Sequence, residues 1–186
     1  MPKSTNREQT TDKIVNIHYN KKQYMKSKLS HIDQKGEVHM VDVGMKESTQ
    51  RSATACSTIY LPEAVVNEFK DNDIHTKKGS VFQTAKLAGI MGAKQTSNLI
   101  PLCHPLPISK CDIQIEKRDN NHLDIICTVN VTGKTGVEME ALTGASIAAL
   151  TFYDMCKALS HDIKIINTRL IKKTGGKSDF ERDRNQ

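Results

Sequence analysis

The sequence predicts an α+β fold: a ferredoxin-like split βαβ sandwich, with an antiparallel sheet and helices on one of its faces. Three observations predict it. Apolar–polar alternation marks 53–61, 110–117 and 122–132 as strands. The last two flank a short polar turn, Asp119-Asn120-Asn121, and read as a hairpin. Two long stretches rich in small apolar residues, 81–96 and 137–159, fall between the strands and read as helices.

The elements follow in order. Residues 39–46, HMVDVGMK, have an extended look before a break at Gly44. In ATACSTIYL (53–61), Ala53, Ala55, Ser57 and Ile59 alternate with Thr54, Cys56, Thr58 and Tyr60. Pro62 then opens a short helix over PEAVVNEFK. DNDIHTKKGS (71–80) is a loop, and Ser80 can cap the helix over 81–96. The alanines and glycines of that helix permit close approach of another backbone. Residues 99–108, LIPLCHPLPI, carry Pro101, Pro105 and Pro107, which forbid a helix and stiffen the loop. After the hairpin comes the helix 137–159, then a strand over 163–171 and a polar tail, KKTGGKSDFERDRNQ.

The chain has 186 residues, 37% hydrophobic and 26% charged, which suits one soluble globular domain with or without a tail. No apolar run approaches the ~18 residues of a membrane span. The net charge of +6 is concentrated in residues 1–30, where Lys3, Arg7, Lys13, Lys21, Lys22, Lys26 and Lys28 face Glu8 and Asp12. Residues 1–28 are therefore expected to be a basic, disordered leader, with a mitochondrial transit peptide as the alternative. A single domain is expected over 29–186. The cysteines, Cys56, Cys103, Cys111, Cys127 and Cys156, are odd in number and irregular in spacing. That excludes a disulfide scaffold and points to a reducing compartment.

Several motifs fail on spacing. Lys134 of GKT lacks the glycine five residues upstream that a phosphate loop needs. KTG at 173–175 has no S-x-x-K partner anywhere in the chain. The seven histidines are scattered, and the adjacent Cys103 and His104 cannot easily converge on one ion, so no metal site is expected. The stretch around them reads as a rigid loop that aims groups at a ligand. In the helix 137–159, Glu138 and Glu140 suit the positive end of the helix dipole. Asp154 and Lys157 share a face at i, i+3, either as a surface ion pair worth ~0.3–0.5 kcal/mol or as an acid–base pair shifted by apolar company. Lys77, Lys78, Lys94, Arg51, Lys172, Lys173 and Lys177 lie on or beside glycine-containing loops and helix ends, either as solvated surface or, together with His104, as an anion site.

Four strings carry more than chemistry: HMVDVGMKESTQR (39–51), KKGSVFQTAKLAGIMGAKQTSNLIPLCHPLPISK (77–110), TGKTGVEMEALTGASIAALTFYDMCKAL (132–159) and KKTGGKSDF (172–180). Together they resemble the cyclic pyranopterin monophosphate synthases, the molybdenum cofactor biosynthesis protein C family, over about residues 30–181. The resemblance implies a ferredoxin-like fold assembled as a homo-hexamer, a trimer of dimers with the site at a subunit interface. It implies conversion of 3′,8-cyclo-7,8-dihydroguanosine 5′-triphosphate to cyclic pyranopterin monophosphate with release of pyrophosphate. No metal, cofactor, nucleic acid or membrane is implied. The location implied is the cytoplasm, or the mitochondrial matrix in a eukaryote.

By the matched motifs, the resemblance assigns catalysis to Lys78, Asp154 and Lys157. It assigns substrate binding to Leu102, Cys103, His104, Glu138, Met139 and Glu140, and to the basic residues Lys46, Arg51, Lys94 and Lys173. Lys78 and Lys157 are expected to be acid–base groups with lowered pKa values, and Cys103 to offer its backbone N–H. Two departures stand out. Gly79-Ser80-Val81 replaces the family's usual Gly-Asp-Val, and the tail has one Gly fewer than usual before Asp179-Phe180.

Two rival classes fit the same fold. An RNA-binding sheet would need aromatics on its strands, and only Tyr60 qualifies. A regulatory ligand-binding domain would need no ammonium–carboxylate helix.

Overall fold

The computed structural model describes residues 31–33 and 35–183, so the expected leader over 1–28 lies outside the described residues. The chain divides into two compact units, Met1–His39 and Met40–Gln186. The described part of the first holds an isolated bridge, Ile32 to Val38, around a turn in which Asp33 Oδ1 accepts from the Lys35 and Glu37 amides.

In the second unit, β1 (Thr49–Tyr60) leads to the one-turn helix α1 (Glu63–Val66), the two-residue strands β2 (His75–Thr76) and β3 (Gly79–Ser80), helix α2 (Val81–Lys94) and the short helix α3 (Thr96–Leu99). The hairpin of β4 (Lys110–Lys117) and β5 (His122–Gly133) follows, then helix α4 (Glu138–Cys156), β6 (Lys164–Thr174) and β7 (Phe180–Glu181). The main sheet runs β4-β5-β1-β6-β7 with every neighbouring pair antiparallel. With α2 and α4 as the crossover helices, this is the split βαβ arrangement expected of the sequence.

Alternation gives the sheet two unlike faces. Ala53, Ala55 and Ile59 of β1 and Leu123, Ile125, Cys127, Val129 and Val131 of β5 point under the helices and form the core with Phe152 and the alanines of α2 and α4. On the other face lie Cys56, Ile126 and Ile171. Beside them, Asp124 is buried and accepts from Arg118 Nε (2.9 Å), Arg118 Nη2 (2.7 Å) and Thr58 Oγ1 (2.8 Å). A bidentate guanidinium satisfies a carboxylate that burial alone would penalise.

The helix layer is close-packed because its contact positions lack bulk. A Cβ on Gly89 would stand 2.8 Å from the Gly144 carbonyl oxygen, and one on Gly144 would stand 2.6 Å from Cys127 Sγ. Gly92 faces Ile147, and Phe82 packs on Phe152 at 6.2 Å. These pairs show α2 and α4 running antiparallel, so the start of α2 adjoins the end of α4.

The structure departs from expectation at the margins. Residues 71–80 are not a plain loop but contain the β2–β3 hairpin, whose turn needs the left-handed backbone of Gly79 (φ +104°). Residues 39–46 form no strand. Pro62 is the N-cap of α1 rather than its first residue. The closing strand runs to Thr174, and the tail returns as β7 because Gly175 (φ +79°) reverses the chain against Gln50 and Arg51. Among the described residues, no helix is long and apolar enough to cross a membrane.

Candidate active site

The end of α4 and the start of α2 bring together the first group of candidate residues. Lys157 caps α4, and its Nζ lies 2.7 Å from Asp154 Oδ1; both side chains are more than half exposed (52% and 57%). Asp154 is held below the usual carboxylate range, first by the hydrogen bond from Lys157 and then by its charge, with a further contribution from the Lys78 ammonium. Lys78 is placed there by the β2–β3 turn, where Thr76 Oγ1 accepts from the Lys78 amide at 3.1 Å. The same hydrogen bond and charge from Asp154 raise Lys157. This corrects the expectation of a lowered Lys157: little burial opposes an adjacent carboxylate, so the ammonium is stabilised.

The second group surrounds the start of α4. Glu140 is 4% exposed, and burial, followed by the charge of Glu138, outweighs a backbone hydrogen bond and raises its carboxyl. Glu138 Oε1 lies 3.2 Å from Lys173 Nζ, which β6 brings to the helix terminus. Met139, 37% exposed, stands between the two glutamates. The proline loop adds Leu102, Cys103 and His104, all half-buried. Burial raises the Cys103 thiol, and the charge of Glu140 raises it further. The Cys103 amide donates to the Ile100 carbonyl at 3.0 Å. That corrects the expectation that this N–H is offered to a ligand: the turn at 100–103 already uses it.

Arg51 completes this end of the molecule. Its Nε donates to the Gly133 carbonyl (3.0 Å), and the Gly175–Gly176 turn passes beside it. Arg51 lines a cavity of ≈ 450 Å³ with Gln50, Ser52, Asn130, Thr174 and Gly175. A second cavity, ≈ 670 Å³, lies on the far face of the sheet around Arg118, Asp124 and Lys172, and contains none of the candidate residues except as neighbours in sequence. Lys94 stands at the end of α2, and its charge adds a minor contribution to a Cys111 thiol lowered first by its hydrogen bond with Cys127. Lys46 is exposed in the segment before β1.

One chain therefore assembles two groups and not one. Asp154 follows Glu140 by fourteen residues of continuous helix, about 21 Å at ~1.5 Å per residue. Lys78, Asp154 and Lys157 occupy one end of the helix layer, and Glu138, Glu140, Cys103, Arg51 and Lys173 the other. Among the described residues, no group of three or more His, Cys, Asp and Glu side chains stands together as a metal set. Neither Asp73 nor the Arg118–Asp124–Thr58 network is among the residues that the sequence singles out. An aspartate inside the apolar strand LDIICTV was the signal for the network; Asp73, in a polar run, gave none.

A model described as the MoaC family matches residues 40–176. The chain belongs to the MoaC family. A protein of Xanthomonas campestris pv. campestris (strain B100), named cyclic pyranopterin monophosphate synthase, is 51% identical over 154 residues, covering 83% of this chain and 93% of that protein. One of the same name from Thermoanaerobacter sp. (strain X514) is 46% identical over 157 residues, 83% of this chain and 98% of its own. Drosophila melanogaster molybdenum cofactor biosynthesis protein 1 is 49% identical over 161 residues, 86% of this chain and 28% of its own length. Every candidate residue, from Lys46 to Lys173, lies within the MoaC family match.

Proposed function

We propose that this chain is a cyclic pyranopterin monophosphate synthase. It converts 3′,8-cyclo-7,8-dihydroguanosine 5′-triphosphate to cyclic pyranopterin monophosphate and releases pyrophosphate. The observation that carries this reading is the identity to a synthase across 93% of that protein's length, within a family match that contains the charged residues of both helix ends. The catalytic domain is assigned to 29–186.

The reaction must open the five-membered ring of a purine, move protons, and close a cyclic phosphate as pyrophosphate departs. Lys157, held as an ammonium beside Asp154, and Lys78 are the two acid–base groups in this reading. Arg51, Lys46, Lys94, Lys173 and His104 neutralise the triphosphate. Glu138 and Glu140 accept hydrogen bonds from the N–H groups of the guanine-derived ring, and Leu102, Cys103 and Met139 form the apolar wall beside them.

Within one chain the two half-sites stand about 21 Å apart along α4. A second copy supplies the missing half. The end of α4 from one subunit meets the start of α4 from another, in a homo-hexamer built as a trimer of dimers. The isologous contact of a two-fold dimer creates two such sites at once.

The test is incubation with the precursor triphosphate, reading pyrophosphate and product. The parent protein releases both, and Lys157→Ala releases them at least about 10²-fold more slowly with assembly intact. Absence of turnover by the parent, or near-parental turnover by the variant, overturns the reading.

A further inference from the structure

We infer that Asp73 is a positioning residue for Lys78: it closes the base of the hairpin that carries Lys78 and ties it to the first turn of α2. The inference rests on Lys78 taking part in the chemistry proposed above.

The hairpin itself is too small to hold a side chain in place. Only His75 with Ser80 and Thr76 with Gly79 are paired, and an isolated two-stranded ribbon of that size is not stable in water. The residues flanking the turn supply the missing order. Asp73 Oδ1 accepts from the Ile74 amide (2.7 Å) and from the Phe82 amide (3.1 Å). Its Oδ2 accepts from Ser80 Oγ at 2.5 Å. Ser80 Oγ in turn accepts from the Gln83 amide at 3.0 Å. The Ile74 carbonyl accepts from Val81 N at 2.9 Å.

Two orphan N–H groups of α2 are thus satisfied by residues on opposite sides of the Lys78 turn, Phe82 by Asp73 and Gln83 by Ser80. A single N-cap residue would fix the helix and leave the hairpin free. This divided cap fixes both. A carboxylate at this end also suits the α2 dipole. Helix α2 is itself locked to α4 through Phe82 and Phe152. The chain of contacts therefore runs from the Lys78 turn, through Asp73 and α2, to the helix end that bears Asp154 and Lys157. The charge of Asp73 is felt at the Cys156 thiol, one residue before Lys157, so the carboxylate lies close to that end of α4.

On the far side of the turn the Ser80 hydroxyl donates to Asp73 and accepts from Gln83, so the carboxylate at this junction comes from before the turn.

The experiment is a double-mutant cycle on the assembled full-length protein, with pyrophosphate release as the rate and circular dichroism as the check on folding. Asp73→Ala lowers kcat by about 10²-fold, the loss expected when a reacting group shifts by about 1 Å. KM stays near the parent's, because Asp73 touches no substrate. Asp73→Asn, whose carbonyl oxygen still accepts from both amides, loses less. In a Lys78→Ala background neither substitution lowers kcat further.

Parental kcat in Asp73→Ala overturns the inference. So does a loss that persists undiminished in the Lys78→Ala background, since that marks a general effect on folding or on α2. If Asp73→Ala does not fold, the cycle with Asp73→Asn decides by the same criterion. Parental turnover in Lys78→Ala alone instead refutes the role of Lys78, and the inference falls with it.

Discussion

Gly89→Ala separates two opposing effects whose difference sets the sign of a stability change. Alanine in place of glycine inside α2 should stabilise a helix by about 1 kcal/mol. The structure gives that Cβ no room. It would lie 2.8 Å from the Gly144 carbonyl oxygen and 3.0 Å from Ala148 Cβ, and would collide with Ile113 Cδ1. The isoleucine tip can turn away, but the carbonyl belongs to α4 and cannot. Ordinary contact begins near 3.4 Å, so the helices must part by roughly half an ångström along their close-packed seam. Overpacking of this kind costs about 1–3 kcal/mol, and contact with rigid backbone belongs at the upper end. Subtracting the helical gain leaves about 1–2 kcal/mol of destabilisation, or roughly 2–8 °C in Tm for a domain of this size. The assay is thermal unfolding of parent and variant at one protein concentration, because assembly contributes to the apparent stability. A variant as stable as the parent, or more so, would show that the small residues do not set the distance between α2 and α4.

Two further outcomes follow from single side chains. Arg118→Ala strips Asp124 of its bidentate partner and leaves a carboxylate only 6% exposed. The midpoint of urea unfolding should fall by the equivalent of about 2–3 kcal/mol, below the usual cost of breaking a fully buried pair because Arg118 is partly in water; an unchanged midpoint contradicts the network. Burial pushes the Cys156 thiol up to about 12. A raised thiol favours folding fully below the ordinary 9.0 and loses that contribution as pH rises through the interval up to about 12. Cys156→Ala should therefore lose less Tm than the parent between pH 8.5 and pH 11, and an equal loss in both proteins refutes the assignment.

What the sequence made legible was local and periodic. The hairpin of β4 and β5 could be read because β4 alternates about a polar turn, Asp119-Asn120-Asn121, and β5 repeats an apolar residue at 123, 125, 127, 129 and 131. Helix α2 could be read from Ser80 and a run of helix formers, and its small residues announced the close approach of α4. The two-residue strands β2 and β3 carry too little pattern to register, and depend on Asp73, whose carboxylate joins positions seven and nine residues away. β7 depends on Gly175, which reads as one more residue of a polar tail. At the site, the residues were legible as chemistry and the geometry was not. Asp154 and Lys157 are the exposed i, i+3 pair that spacing allows. That Glu140 lies at the opposite end of the same helix from Asp154 follows from the helix length.

Subunit complementation tests that division most directly. Lys157→Ala and Glu140→Ala, each inactive alone, are co-expressed so that the two chains mix within one assembly. If each site takes one end of α4 from each of two chains, mixed dimers regain one intact site, and pyrophosphate release should reach about a quarter of the parent's rate with random pairing at a two-fold interface. If mixed assemblies form and stay as inactive as either variant alone, the two half-sites do not meet across subunits and the account is wrong.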